Sequence, residues 1–156
     1  MYSKEEAKKI RLQFWEHFGK RCEIHPLLYE RRKKWMLHRT KIPGVALRFE
    51  ADRTSAKVIL ELSQRNEDKR LKAFEILQNY KVILEDGFPD GLSWEFFYER
   101  EDSGQEVARI YTTLANANLF RQNQWPDIFN FFIENMIRLE ENFLQIRDIL
   151  KEELAY

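Results

Sequence analysis

One cysteine, four prolines and five glycines are spread over 156 residues, and each scarcity excludes something. A lone Cys22 forbids an intrachain disulfide and fits a reducing compartment. It also argues against a structural zinc site, which uses several thiolates or closely paired ligands. The glycines stand singly, so neither a phosphate-cradling loop nor a dinucleotide fingerprint can be assembled. Scarce glycine and proline also speak against a disordered or low-complexity chain. No apolar run approaches the roughly 18–20 residues that span a bilayer. The opening "MYSKEEAKKI" lacks the apolar centre of a signal peptide. A cytoplasmic protein without a membrane partner is expected.

What the chain has is apolar bulk and charge. It is 44% hydrophobic, 14% aromatic and 33% charged. That composition can fill a core, and the length predicts one domain over residues 1–156. Net charge is zero but unevenly placed. Residues 20–41 hold eight basic and two acidic side chains, a net of +6, while residues 42–156 sum to −7. Half of the twelve residues in "ERRKKWMLHRTK" (30–41) are Lys or Arg, with Trp35 among them.

Periodicity predicts the elements. Ser3 and Glu6 have the spacing of a capping box. Ala7, Ile10, Phe14 and Phe18 then make one face of a helix ending near Gly19. Alternation over Lys33–Thr40 suits a short strand, and "TKIPG" a turn. Val45, Leu47, Phe49 and Ala51, then Ala56, Val58, Leu60 and Leu62, mark two strands of a hairpin with one face on a core. Asn66 caps a helix carrying Leu71, Phe74, Leu77, Tyr80 and Leu84, closed by Gly87. Trp94, Phe96 and Tyr98 open a second hairpin that returns through "EVARIYTTL". Pro126 starts the last helix. Its stripe of Phe129, Phe132, Met136, Leu139, Phe143, Ile146 and Leu150 is widened by Ile128, Ile133, Ile137, Leu144 and Ile149, so it suits packing on a sheet better than a coiled coil. The expected fold is α+β with two layers. An antiparallel sheet of about five strands carries its helices on one face, in the order helix, three strands, helix, two strands, helix.

Four phrases, "SKEEAKKIRLQFWEHFG" (3–19), "LRFEAD" (47–52), "ARIYTTL" (108–114) and "QWPD" (124–127), resemble in order an uncharacterised bacterial family of unknown function. That family occurs stand-alone and as a C-terminal domain behind restriction-endonuclease-like regions. The resemblance covers nearly the whole chain. It implies a cytoplasmic location and an association with DNA metabolism or defence, and it names no reaction.

A restriction-type nuclease places an Asp ahead of a strand bearing Glu-x-Lys, where the carboxylates hold Mg²⁺. Asp52 and Glu61 have suitable positions, but residue 63 is Ser. Glu61 reads more simply as the wet face of a half-exposed strand. His17, His25 and His38 show no paired ligand spacing. A Cys22 hydrolase with His25 or His38 has only Lys20 and Arg21 to activate its thiol. No catalytic residue, metal or cofactor is assigned.

Two surfaces carry the functional expectation. If the second hairpin pairs symmetrically, one sheet face presents Arg48, Glu50, Lys57, Ile59, Glu61, Glu95, Phe97, Glu99, Val107, Arg109 and Tyr111. This is either a ladder of cross-strand ion pairs or an apolar island of Ile59, Phe97, Val107 and Tyr111 ringed by charge, including Arg109, as at a protein–protein contact. The basic segment is either the guarded edge of a sheet or a nucleic-acid contact through Arg31, Arg32, Lys33, Lys34 and Arg39, with Trp35 for stacking. The expectation is a non-catalytic interaction or accessory module, homodimeric or bound to a protein partner. The alternative is a nucleic-acid-binding accessory protein using residues 31–39.

Overall fold

The computed structural model describes residues 2–25 and 40–155. Helix α1 (Lys4–Ile24) begins on the expected cap, where the Ser3 hydroxyl accepts from the Glu6 N–H at 3.1 Å. It runs five residues past Gly19, because Cys22 still has a buried position and Arg21 donates to Asn130 at 2.9 Å. "TKIPG" is a turn: Lys41 and Gly44 take positive φ, and the Thr40 hydroxyl donates to the Val45 carbonyl at 2.6 Å. A Cβ at Gly44 would come within 2.9 Å of Gln64.

Strands β1 (Val45–Ala51) and β2 (Ser55–Leu62) form the first hairpin. Its turn is organised by Asp52. The carboxylate accepts from the Thr54 N–H at 2.8 Å, the Ser55 N–H at 2.9 Å and the Thr54 hydroxyl at 3.0 Å. Burial alone would raise this carboxyl's pKa, but the three donors outweigh it and hold the group below its ordinary 3.8. The turn's stabilisation is therefore complete above that value and is lost as pH falls through the lower native pKa. Asp52→Ala should cost about 1 kcal/mol near neutrality. In thermal melts from neutral to strongly acid pH, the gap between wild type and variant should close in acid; a gap that widens there would contradict the assignment.

Helix α2 (Glu67–Asn79) is capped by Asn66, whose side chain accepts from the Lys69 N–H at 2.9 Å. The expected run to Leu84 is broken. Tyr80 leaves the helical region (φ −109°, ψ 23°) and a one-turn helix, α3 (Lys81–Leu84), follows. Asn142 closes that turn from the last helix, donating to the Leu84 and Asp86 carbonyls at 2.9 and 2.7 Å. Gly87 then takes positive φ. Strands β3 (Ser93–Glu99) and β4 (Glu106–Ala115) form the second hairpin, and helix α4 (Trp125–Leu154) ends the fold. All seven residues of its narrow stripe are buried, while Leu144 and Ile149 on the widened flank are exposed.

Among the described residues the fold is α+β, with four helices and a four-stranded antiparallel sheet in the order β1-β2-β4-β3. Four strands replace the expected five among the described residues. The strand anticipated over Lys33–Thr40 falls on residues 33–39, outside the described residues, and Thr40 belongs to the turn. Among the described residues no helix is long and apolar enough to cross a membrane.

The chain divides into two compact units, Met1–His38, Phe49–Lys57 and Thr113–Glu134 forming one, and Arg39–Arg48, Val58–Thr112 and Asn135–Tyr156 the other. The first is built on rings. Phe14 and Phe18 of α1 bury against Phe129 and Phe132 of α4, and Phe49 of β1 closes on Phe18 and Phe132, each at 4.9 Å between centroids. Burying such a side chain stabilises by roughly 1.5–3 kcal/mol. In the second unit Phe74 of α2 stacks on Trp94 and Phe96 of β3 at 5.7 and 5.4 Å, which fixes the helix-covered face of that hairpin.

Candidate functional site

The hairpin that carries most of the expected contact face is not symmetric. Ser93, Trp94 and Glu95 pair with Tyr111, Ile110 and Arg109, but Tyr98 pairs with Val107 and Glu99 with Glu106. Phe96 and Phe97 therefore share one position opposite Ala108, a β-bulge. One extra residue reverses the side-chain parity of everything after it. Tyr98 moves onto the face of Val107, Arg109 and Tyr111, and Glu99 moves to the helix side. Glu106, also on that side, pairs with Arg70 at 2.8 Å.

The bulge corrects the expected island. Phe97 does not join Val107 and Tyr111; it stands edge-on to Phe96 at 4.7 Å and is 66% exposed. Ile59, Val107 and Arg109 are buried and offer no surface while the chain holds this conformation. Tyr111 is half-buried, and its hydroxyl donates to Glu95 at 3.4 Å. Of the five candidates, Phe97 alone is a largely exposed apolar group. Arg109 has become a core element. Its guanidinium carbon lies 3.9 Å from the Tyr98 ring centroid and 5.0 Å from that of Tyr111. A weakly hydrated, planar cation suits such a bracket.

One rung of the expected charged ladder is present, Arg48 with Glu61 across β1 and β2, and Arg100 joins it. The Glu61 side chain, only 5% exposed, accepts from Arg48 at 2.9 Å and from Arg100 through both oxygens, the Nε contact at 3.3 Å. That hydrogen bond holds the Arg100 guanidinium more firmly charged against the opposing pull of burial. Glu61 is thus the shared counter-ion of two arginines rather than a wet strand position. Tyr98 and Arg100 were not among the sequence candidates. Alternation counted straight through "FFY" puts Tyr98 on the wrong side, and a bulge leaves no local sequence mark.

Asp52 is engaged by its own turn and Glu61 by two arginines. Among the described residues no group of three His, Cys, Asp or Glu side chains could hold a metal ion. Cys22 is buried, and desolvation, with Glu23 nearby, pushes its thiol up to about 11, away from nucleophilic chemistry. His17 packs edge-on against Trp125 at 5.3 Å. Arg31, Arg32, Lys33, Lys34, Trp35, His38 and Arg39 lie outside the described residues.

Against known proteins, the family described as "Domain of unknown function (DUF4268)" matches residues 10–147. No curated protein and no solved structure matches the chain.

Proposed function

We propose, from the premise that this chain belongs to that domain family of unknown function, that it is a non-catalytic interaction module that joins a second copy of itself through Phe97. The observation that carries this reading is a phenylalanine 66% exposed on β3, the last strand of the sheet order. An aromatic ring left in water on an edge strand has the chemistry of a contact centre. Its surroundings select the partner. Glu95 and Glu99 lie on opposite faces of the same strand and Glu101 and Asp102 in the turn after it, with Arg100 already paired to Glu61. A strand and turn of that sign favour a basic surface with apolar content. The segment 30–41 of a second copy, rich in Lys and Arg and containing Trp35, has that chemistry. The engagement of Asp52 and Glu61 in structural bonds supports a binding role over a hydrolytic one.

Sedimentation of the full chain over a wide concentration range tests it. Self-association should appear, weaken as salt rises, and become about 30-fold weaker in Phe97→Ser, as for loss of an aromatic hot spot. A wild-type monomer at every concentration and salt, or association unchanged in the variant, would refute the reading.

A further inference from the structure

A different set of rings and cations lies in the first unit, on residues that no sequence pattern connects. Phe120 sits in the loop between β4 and α4. The guanidinium carbon of Arg53, from the β1–β2 turn, lies 4.8 Å from its ring centroid, and that of Arg11, from α1, lies 5.4 Å away. The Tyr2 ring stacks on Phe120 at 5.8 Å with 28° between the planes. The loop is built to hold this position. Leu119 N–H donates to the Asp52 carbonyl at 3.1 Å, and Trp125 Nε1 to the Leu119 carbonyl at 2.6 Å. Asn118 N–H donates to the Gln124 side chain at 2.8 Å, and Phe120 N–H to the Asn118 side chain at 2.9 Å. The side chains of Asn118 and Gln124 thus brace the loop on itself and hold Phe120 beside Arg53.

The electrostatics of this cluster differ from those of the sheet face. Arg11 and Arg53 are both exposed, and neither forms an ion pair with a carboxylate among the described residues. The carboxylate beside Arg53 in sequence, Asp52, takes three turn hydrogen bonds on Oδ1 and forms no ion pair with Arg53. Two like charges gathered on one ring repel, and a ring quadrupole relieves that repulsion only partly. An anion would relieve it fully, because each planar fork keeps its N–H donors for a phosphate. Arg121, also exposed, follows directly. Tyr2 is 44% exposed and offers aromatic surface beside the cations.

We propose that Arg11, Arg53, Phe120 and Tyr2 form a binding site for single-stranded nucleic acid, with a backbone phosphate on the two guanidinium forks and an unpaired base on the Tyr2 ring. A duplex keeps its bases stacked internally and cannot use the ring, so the arrangement favours single strands. The site stands apart from the self-association reading and does not depend on it.

The test is fluorescence anisotropy with the full chain. The probes are a labelled oligothymidylate, an abasic strand of equal length, and a duplex, each at several salt concentrations. The variants are Arg11→Gln/Arg53→Gln, Tyr2→Ser, and Arg31, Arg32, Lys33 and Lys34 together changed to Gln, with circular dichroism confirming that each folds. The oligothymidylate should bind best. The double variant should weaken it and flatten the salt dependence by about 0.7 in log–log slope, the value for loss of one phosphate contact on a single strand. Tyr2→Ser should cost about tenfold on the oligothymidylate and nothing on the abasic strand. Absence of wild-type binding would overturn the proposal. So would equal affinity for the abasic strand, or a double variant that binds like wild type while the four-residue variant does not.

Discussion

Phe132→Ala should lower the unfolding free energy by about 3–5 kcal/mol, the range for emptying a buried phenylalanine site. Phe132 is fully buried, and its ring meets those of Phe14, Trp15, Phe18 and Phe49. The Trp15 contact is a parallel stack at 5.8 Å; those with Phe14 and Phe18 are edge-on. Rings cannot collapse into one another's space as aliphatic chains can. The cavity should therefore persist, and the cost should lie toward the upper end. Aromatic pair terms of about 0.5–1.5 kcal/mol each are lost besides the transfer energy. Denaturant unfolding of Phe132→Ala beside Phe131→Ala provides the check, because Phe131 is only half-buried. Equal losses from the two neighbours would mean that the ring cluster is not the anchor of its unit.

Glu61→Ala should be the second most damaging change, at about 2–3 kcal/mol. Removing one member of a fully buried ion pair costs roughly 3–5 kcal/mol, because the other charge stays behind. Here Arg48 and Arg100 remain 43% and 23% exposed, so water recovers part of that loss. The companion experiment is a cycle with Arg100→Met. If the deficit is the uncompensated arginine, the double variant should be more stable than Glu61→Ala alone. Strict additivity would show that Glu61 and Arg100 do not act as a pair. Glu61→Gln keeps the volume and separates lost charge from lost packing.

Local order was legible in the residues. Ser3 and Asn66 were readable as caps because a cap is a relation over three residues. The hairpin at Asp52 and the stripe from Phe129 to Leu150 followed from periods of 2 and about 3.5. The α+β class came with them. Each of these depends on neighbours within one turn of helix or one pleat of strand, where chain geometry and side-chain polarity suffice.

The bulge at Phe96 and Phe97 did not announce itself. It depends on which residue of β4 faces each residue of β3, and "WEFFYE" reads equally well with or without it. That one register choice exposed Phe97, placed Tyr98 over Arg109, and gave Glu99 to the helix side. Arg48 stood on the same expected face as Glu61, but the second partner, Arg100, was hidden, since it lies 39 residues away along the chain. The meeting of Tyr2, Arg11 and Arg53 on Phe120 joins three separated segments. Period and composition report the local energy of a chain. Which charges share a counter-ion, and which ring is left in water, depends on contacts between distant segments, and these exist only once the strands have chosen their register.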